Sequence, residues 1–123
     1  MTSTVYTASV ARSRAPSHRP MPPSDEETLL LGGRFSSGEE CLPARVTLGN
    51  FLKVIERPDF VPDRTAFFMP TADGPCRFGQ YAPYIKKVLR DIGLEEVMVF
   101  SPSSRDGYAG IGEQKNELQR NAL

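Results

Sequence analysis

The chain is short of the side chains that most chemistry at neutral pH uses. Its 123 residues hold one histidine, His18, so a histidine-based metal site or acid–base pair has no support within a single copy. There are two cysteines, Cys41 and Cys76, which read as ligands, reactive thiols or buried core residues before they read as a structural disulfide. Fifteen Lys and Arg balance fifteen Asp and Glu, which removes the electrostatic case for nucleic acid or an anionic membrane as partner. No apolar run approaches the roughly 20 residues of a membrane helix, and no stretch near the start reads as a signal-peptide core. The expectation is a soluble cytoplasmic protein. No Gly-x-x-x-x-Gly-Lys-Ser/Thr string occurs, so ATP hydrolysis would belong to another domain or protein. No G-x-G-x-x-G follows a strand, and there is neither an internal repeat nor a heptad run.

What is present fits one modest domain. Residues 1–23 are rich in Ser, Thr, Pro and Arg and poor in large apolar groups, and read as a disordered or truncated leader. Arg12, Arg14 and Arg19 lack acidic neighbours there, but the prolines late in the segment argue against an amphipathic targeting helix. Residues 24–112 carry the domain. Residues 113–123 form a polar tail, read as the start of a truncated helix.

Ser24-Asp25-Glu26-Glu27 is a capping-box pattern with Ser24 as N-cap, and predicts a helix near 25–31 ending at Gly32-Gly33. A strand over Thr28 to Leu31 is the competing reading. Leu48, Phe51, Leu52 and Ile55 fall at i, i+3, i+4 and i+7 after Pro43, predicting a helix near 43–56. Gly49 costs that helix about 1 kcal/mol relative to Ala, which points to close backbone contact on its side. Ala66 to Met69 reads as a strand. Tyr81, Ile85, Val88, Leu89 and Ile92 share one face of a helix near 77–92, with Pro83 tolerable near its start and Gly93 as its stop. Val97 to Phe100 is a second strand. Strand, helix, strand over 66–100 is a βαβ unit with a right-handed crossover expected. The fold expected is α/β, a partial Rossmann-like three-layer domain with a small parallel sheet.

The stretch Phe67 to Tyr81, FFMPTADGPCRFGQY, is the chemical centre. It leaves the carboxyl end of a strand, where open α/β sheets bind their ligands. Cys76 then stands at a helix start, where unpaired N–H groups favour a thiolate. Cys41, just ahead of Pro43, repeats that arrangement. Each could equally be a small buried hydrophobe. Arg77 could neutralise negative charge or meet a phosphate, or simply face solvent. Gln80 reads from its type alone as a surface amide. Tyr81 and Tyr84 read as packing aromatics, and Asp73 as a cap for the Cys76 helix. Ser103 and Ser104 sit in the loop after the second strand, facing the same crevice.

Gly38-Glu39-Glu40-Cys41-Leu42-Pro43, with Val46-Thr47-Leu48-Gly49 and Phe51-Leu52-Lys53, resembles the first cysteine motif of the 2-hydroxyacyl-CoA dehydratase subunit superfamily, in its activase-related branch. Phe68-Met69-Pro70-Thr71-Ala72-Asp73-Gly74-Pro75-Cys76-Arg77-Phe78-Gly79-Gln80-Tyr81 resembles the second motif of that branch, and Asp106-Gly107-Tyr108-Ala109-Gly110 its continuation. The likeness runs from about Pro23 to Gly112. It implies a Rossmann-like domain holding an iron–sulfur cluster, of 4Fe-4S type, with Cys41 and Cys76 as ligands and Arg77 and Gln80 beside it. It implies as partners an ATP-hydrolysing activator, the remainder of a dehydratase-like domain, and an acyl-CoA. A cubane is held by three or four protein ligands; two cysteines leave at least one ligand to come from elsewhere. The resemblance thus implies a fragment of a lyase system, catalytically incomplete alone. The rival readings are a cluster-free module binding a CoA-like or phosphorylated ligand, and a gene fragment without function.

Overall fold

The computed structural model describes residues 4–7, 18–103 and 105. The Asp106–Gly110 motif, the 113–123 tail and Ser104 lie outside them.

Four short strands, β1 (Thr4–Thr7), β2 (His18–Pro20), β3 (Thr65–Phe68) and β4 (Met98–Phe100), form a parallel sheet in the order β2-β1-β3-β4. The leader read over residues 1–23 therefore contains two strands, one paired directly to β3 along Thr4–Thr7. β3 and β4 match the expected βαβ unit within a residue at each end. Beyond their formal ends the pair continues. The Met69 amide donates to the Phe100 carbonyl at 2.9 Å and the Thr71 amide to the Pro102 carbonyl at 3.0 Å, closing a parallel bridge between Thr71 and Ser103.

Three helices accompany the sheet: α1 (Glu26–Gly33), α2 (Leu42–Ile55) and α3 (Tyr81–Asp91). α1 is helical, not the competing strand, but its capping box sits one residue later than read. The Thr28 amide donates to Asp25 Oδ1 at 3.0 Å and the Asp25 amide to Thr28 Oγ1 at 3.1 Å. Ser24 instead accepts from Asn50 Nδ2 at 2.8 Å. The shift has a cause in α2. Asp25 also takes Lys53 Nζ at 3.0 Å, while Thr28 Oγ1 lies 3.1 Å from Asn50 Oδ1, so two α2 side chains hold the start of α1.

Glycines set how closely these helices approach. A Cβ on Gly49 would stand 1.9 Å from the Thr28 carbonyl oxygen, and one on Gly32 would stand 2.1 Å from the Arg45 carbonyl oxygen. The close contact expected at Gly49 is therefore against α1.

α3 is shorter than the helix read over 77–92. Arg77–Gln80 is a 3-10 turn and the α-helix begins at Tyr81. Pro83 explains the break: its ring excludes the carbonyl four residues earlier and it has no N–H to give, so an α-helix containing it must start close by. Gly93, at φ +80°, ends the element in the left-handed conformation as expected.

β3 buries Thr65, Phe67 and Met69 on one face, the alternation a strand imposes. The Phe51 ring of α2 lies 4.3 Å from that of Phe67. Val99, beside Phe67 in register, joins Val88 and Leu89 of α3 in the same core. The α2 and α3 helices thus share one side of the sheet. On the other side Phe68 meets Phe100 at 5.9 Å, and Met98 is 62% exposed. Among the described residues the structure is a small α/β fold with a parallel sheet, as expected.

Candidate cysteine site

The starts of α2 and α3 meet. Cys41 is the N-cap of α2 and Tyr81 the first residue of α3. The Tyr81 hydroxyl lies 2.8 Å from Cys41 Sγ. Two further bonds join the same segments. Arg77 Nη1 donates to the Glu39 carbonyl at 2.9 Å, and the Tyr84 hydroxyl donates to the Phe35 carbonyl at 2.9 Å. The loop between α1 and α2 is shaped from within by Glu40. Its carboxylate accepts from the Ser37 amide and hydroxyl and from the Gly38 amide, at 3.0–3.1 Å.

These contacts wall an open cavity of about 320 Å³ lined by Cys41, Arg77, Gln80 and Tyr81 with Glu40 and Tyr84. Cys41 is half-buried in it, whereas Cys76 is exposed and outside the lining. Cys41 is held below its ordinary 9.0, first by the Tyr81 hydroxyl, then by the Ala44 amide, with smaller help from the Arg77 guanidinium. Tyr81 is pushed up to about 12, first by its burial and then by the hydrogen bond to Cys41. Either group can donate across this contact, and a phenol donating to the sulfur is compatible with both directions.

The site residues expected from sequence gather unevenly. Cys41, Arg77 and Gln80 line one cavity and Cys76 is next to it in the chain. The helix-start argument holds for Cys41, ahead of 14 helical residues, but not for Cys76, which precedes a four-residue 3-10 turn. Asp73 is not a cap: it pairs with Arg105 at 3.3 Å, joining the loops that leave β3 and β4. His18 falls in β2. Tyr81 does pack, edge-on to Phe78 at 5.3 Å, but its hydroxyl contact with Cys41 was not legible from the residue type.

A cubane cluster takes three or four ligands. Among the described residues no group of three or more His, Cys, Asp or Glu is placed to hold a metal ion. The two cysteines, Cys41 and Cys76, are fewer than such a donor set. Among the described residues no helix is long and apolar enough to cross a membrane. Compared with protein-family models, curated proteins and solved structures, the chain matches none of them.

Proposed function

We propose that this chain is an iron–sulfur cluster-binding component of an ATP-dependent electron-transfer system of the 2-hydroxyacyl-CoA dehydratase and activase type, acting in the cytoplasm. Cys41 and Cys76 are the ligands it contributes. The rest of the donor set comes from the remainder of the domain or from a partner chain, and an ATP-hydrolysing activator supplies the electron. When bound, the cluster supplies a one-electron carrier for radical removal of water from an acyl-CoA. The chain's own residues present two sulfurs, bias Cys41 toward its thiolate through the Tyr81 hydroxyl, and offset negative charge with Arg77. Metal ligation by a thiol requires loss of its proton, so a sulfur already biased that way binds at lower cost.

The observation that carries the reading is that the two cysteine segments are joined: Arg77, which follows Cys76, donates to the carbonyl of Glu39, two residues before Cys41, and lines the same cavity as Cys41. A Rossmann-like ancestry belongs to the same proposal, supported by the parallel order β2-β1-β3-β4 with α3 joining β3 to β4.

The rival is a cluster-free module taking a CoA-like or phosphorylated ligand. Arg77 favours an anion in the cavity, but Glu39 and Glu40 line it too and their carboxylates oppose a polyphosphate. Anaerobic reconstitution with iron, sulfide and a small thiol to complete the donor set separates the two. A brown protein with a sulfur-to-iron absorption band, lost in Cys41→Ser and in Cys76→Ser, supports cluster binding. A colourless folded protein that binds coenzyme A supports the rival, and a chain without a cooperative unfolding transition supports a fragment with no function of its own.

A further inference from the structure

The cavity between the starts of α2 and α3 has a floor and a mouth of different character. Ala44 and Tyr81 are buried at its floor, while Glu39, Arg77 and Gln80 are exposed at its mouth. The deeper polar groups are already engaged. Glu40 accepts from Ser37 and Gly38, and the Tyr84 hydroxyl donates to the Phe35 carbonyl. At the mouth, Arg77 gives Nη1 to the backbone oxygen of Glu39 and not to its carboxylate, which leaves the other N–H groups of the guanidinium available. Among the described residues neither the Glu39 carboxylate nor the Gln80 amide has a hydrogen-bond or ion-pair partner.

We propose that this cavity binds an α-amino acid with an apolar or aromatic side chain. Two opposite charges that face one opening without neutralising each other match a ligand that carries both. The ligand carboxylate meets the Arg77 guanidinium, whose planar fork suits it, and the Gln80 amide. Its ammonium meets Glu39, and its side chain enters toward Ala44 and the tyrosine rings. A ligand with only an anionic end is opposed by two lining carboxylates, and one with only a cationic end by Arg77. The volume of about 320 Å³ is at the small end of ordinary ligand pockets, about 300–1,000 Å³, and suits one amino acid better than a nucleotide. The inference goes beyond the cluster reading and does not rest on it.

The test uses the full chain free of metal, with L-phenylalanine as the probe. Binding is measured by calorimetry, and the backbone amide shifts of Ala44 and Tyr81 locate it. Two analogues each lack one end: phenethylamine has no carboxylate and phenylpropionate no ammonium. L-phenylalanine is expected to bind saturably and each analogue about tenfold more weakly, the loss of one charge-assisted hydrogen bond. Glu39→Gln is expected to weaken L-phenylalanine to the level of phenylpropionate without weakening phenylpropionate itself. Arg77→Gln is expected to do the same with phenethylamine as the reference.

Equal binding of L-phenylalanine and either analogue overturns the proposal, as does the absence of saturation at the solubility limit of the amino acid. An unchanged affinity in Glu39→Gln overturns it as well, and so does coenzyme A shifting the same amides at lower concentration than L-phenylalanine. Should Arg77→Gln fail to fold, Glu39→Gln, which alters an exposed side chain, decides by itself. Failure of the chain to load a cluster leaves these titrations unchanged, so the two readings fail separately.

Discussion

Arg77 reaches across 38 positions of the chain to place its Nη1 2.9 Å from the carbonyl oxygen of Glu39. It immediately follows one cysteine, and its acceptor lies two residues before the other. That single guanidinium joins the two cysteine segments, in addition to whatever charge it brings to the cavity. Because the bond is exposed, Arg77→Ala should cost only about 1 kcal/mol of stability in urea unfolding. The larger effect should be on the site: slower metal uptake at an unchanged fold. Arg77→Lys should recover charge but not the directed bond.

Gly49→Ala separates two opposing effects. Alanine in place of glycine gains about 1 kcal/mol of helix propensity. The new Cβ, however, would lie 1.9 Å from the backbone oxygen of Thr28, an atom that cannot swing aside. Overpacking of this kind costs about 3 kcal/mol, so the expected net loss is about 2 kcal/mol in chemical denaturation. A stabilised Gly49→Ala protein would mean that α1 and α2 do not cross there.

The bond between Asp25 and Lys53 makes stability depend on acid. Hydrogen bonds from Lys53 and from the Thr28 amide hold Asp25 below its ordinary 3.8. A carboxyl depressed in the folded state stabilises above its unfolded value, and that contribution is lost as pH falls through the folded value. Wild type should therefore lose unfolding midpoint from about pH 5 downward, and Asp25→Asn should flatten the lower part of that fall. A parallel curve for the variant would show that Asp25 is not involved.

Ser101, just past β4, has a buried hydroxyl oxygen with no hydrogen-bond partner among the described residues. Leaving such a group unpaired costs about 1–3 kcal/mol, and removing it recovers part of that. Ser101→Ala is expected to be neutral or to raise the melting temperature, against the usual destabilising direction of substitutions at buried atoms. A loss above about 1 kcal/mol would show that the oxygen is satisfied in solution.

Much of this architecture is legible before any coordinates. Periodicity locates α2 and α3, and the two apolar runs locate β3 and β4. Gly49 announces a close approach because nothing else justifies a glycine in mid-helix. What is not legible depends on partners distant in sequence. Thr4–Thr7 is four residues long in a Ser- and Arg-rich setting, and its pairing with β2 and β3 makes it a strand. The cap of α1 moves from Ser24 to Asp25 because Lys53 and Asn50 approach from another helix. Cys41 and Cys76 stand out by type and context. The Tyr81 hydroxyl does not, since its contact with Cys41 spans 40 positions and leaves no local pattern.

The central claim is that Cys41 and Cys76 serve one metal centre, and anaerobic cobalt(II) titration with a small thiol present tests it most directly. Sulfur-to-cobalt absorption scales with the number of thiolates on the metal, and cobalt accepts the mixed sulfur sets that iron and zinc use. The account predicts one cobalt per chain, with Cys41→Ser and Cys76→Ser each weakening binding and lowering the band of the same centre. Two independent sites, each surviving loss of the other cysteine with its band undiminished, would contradict it.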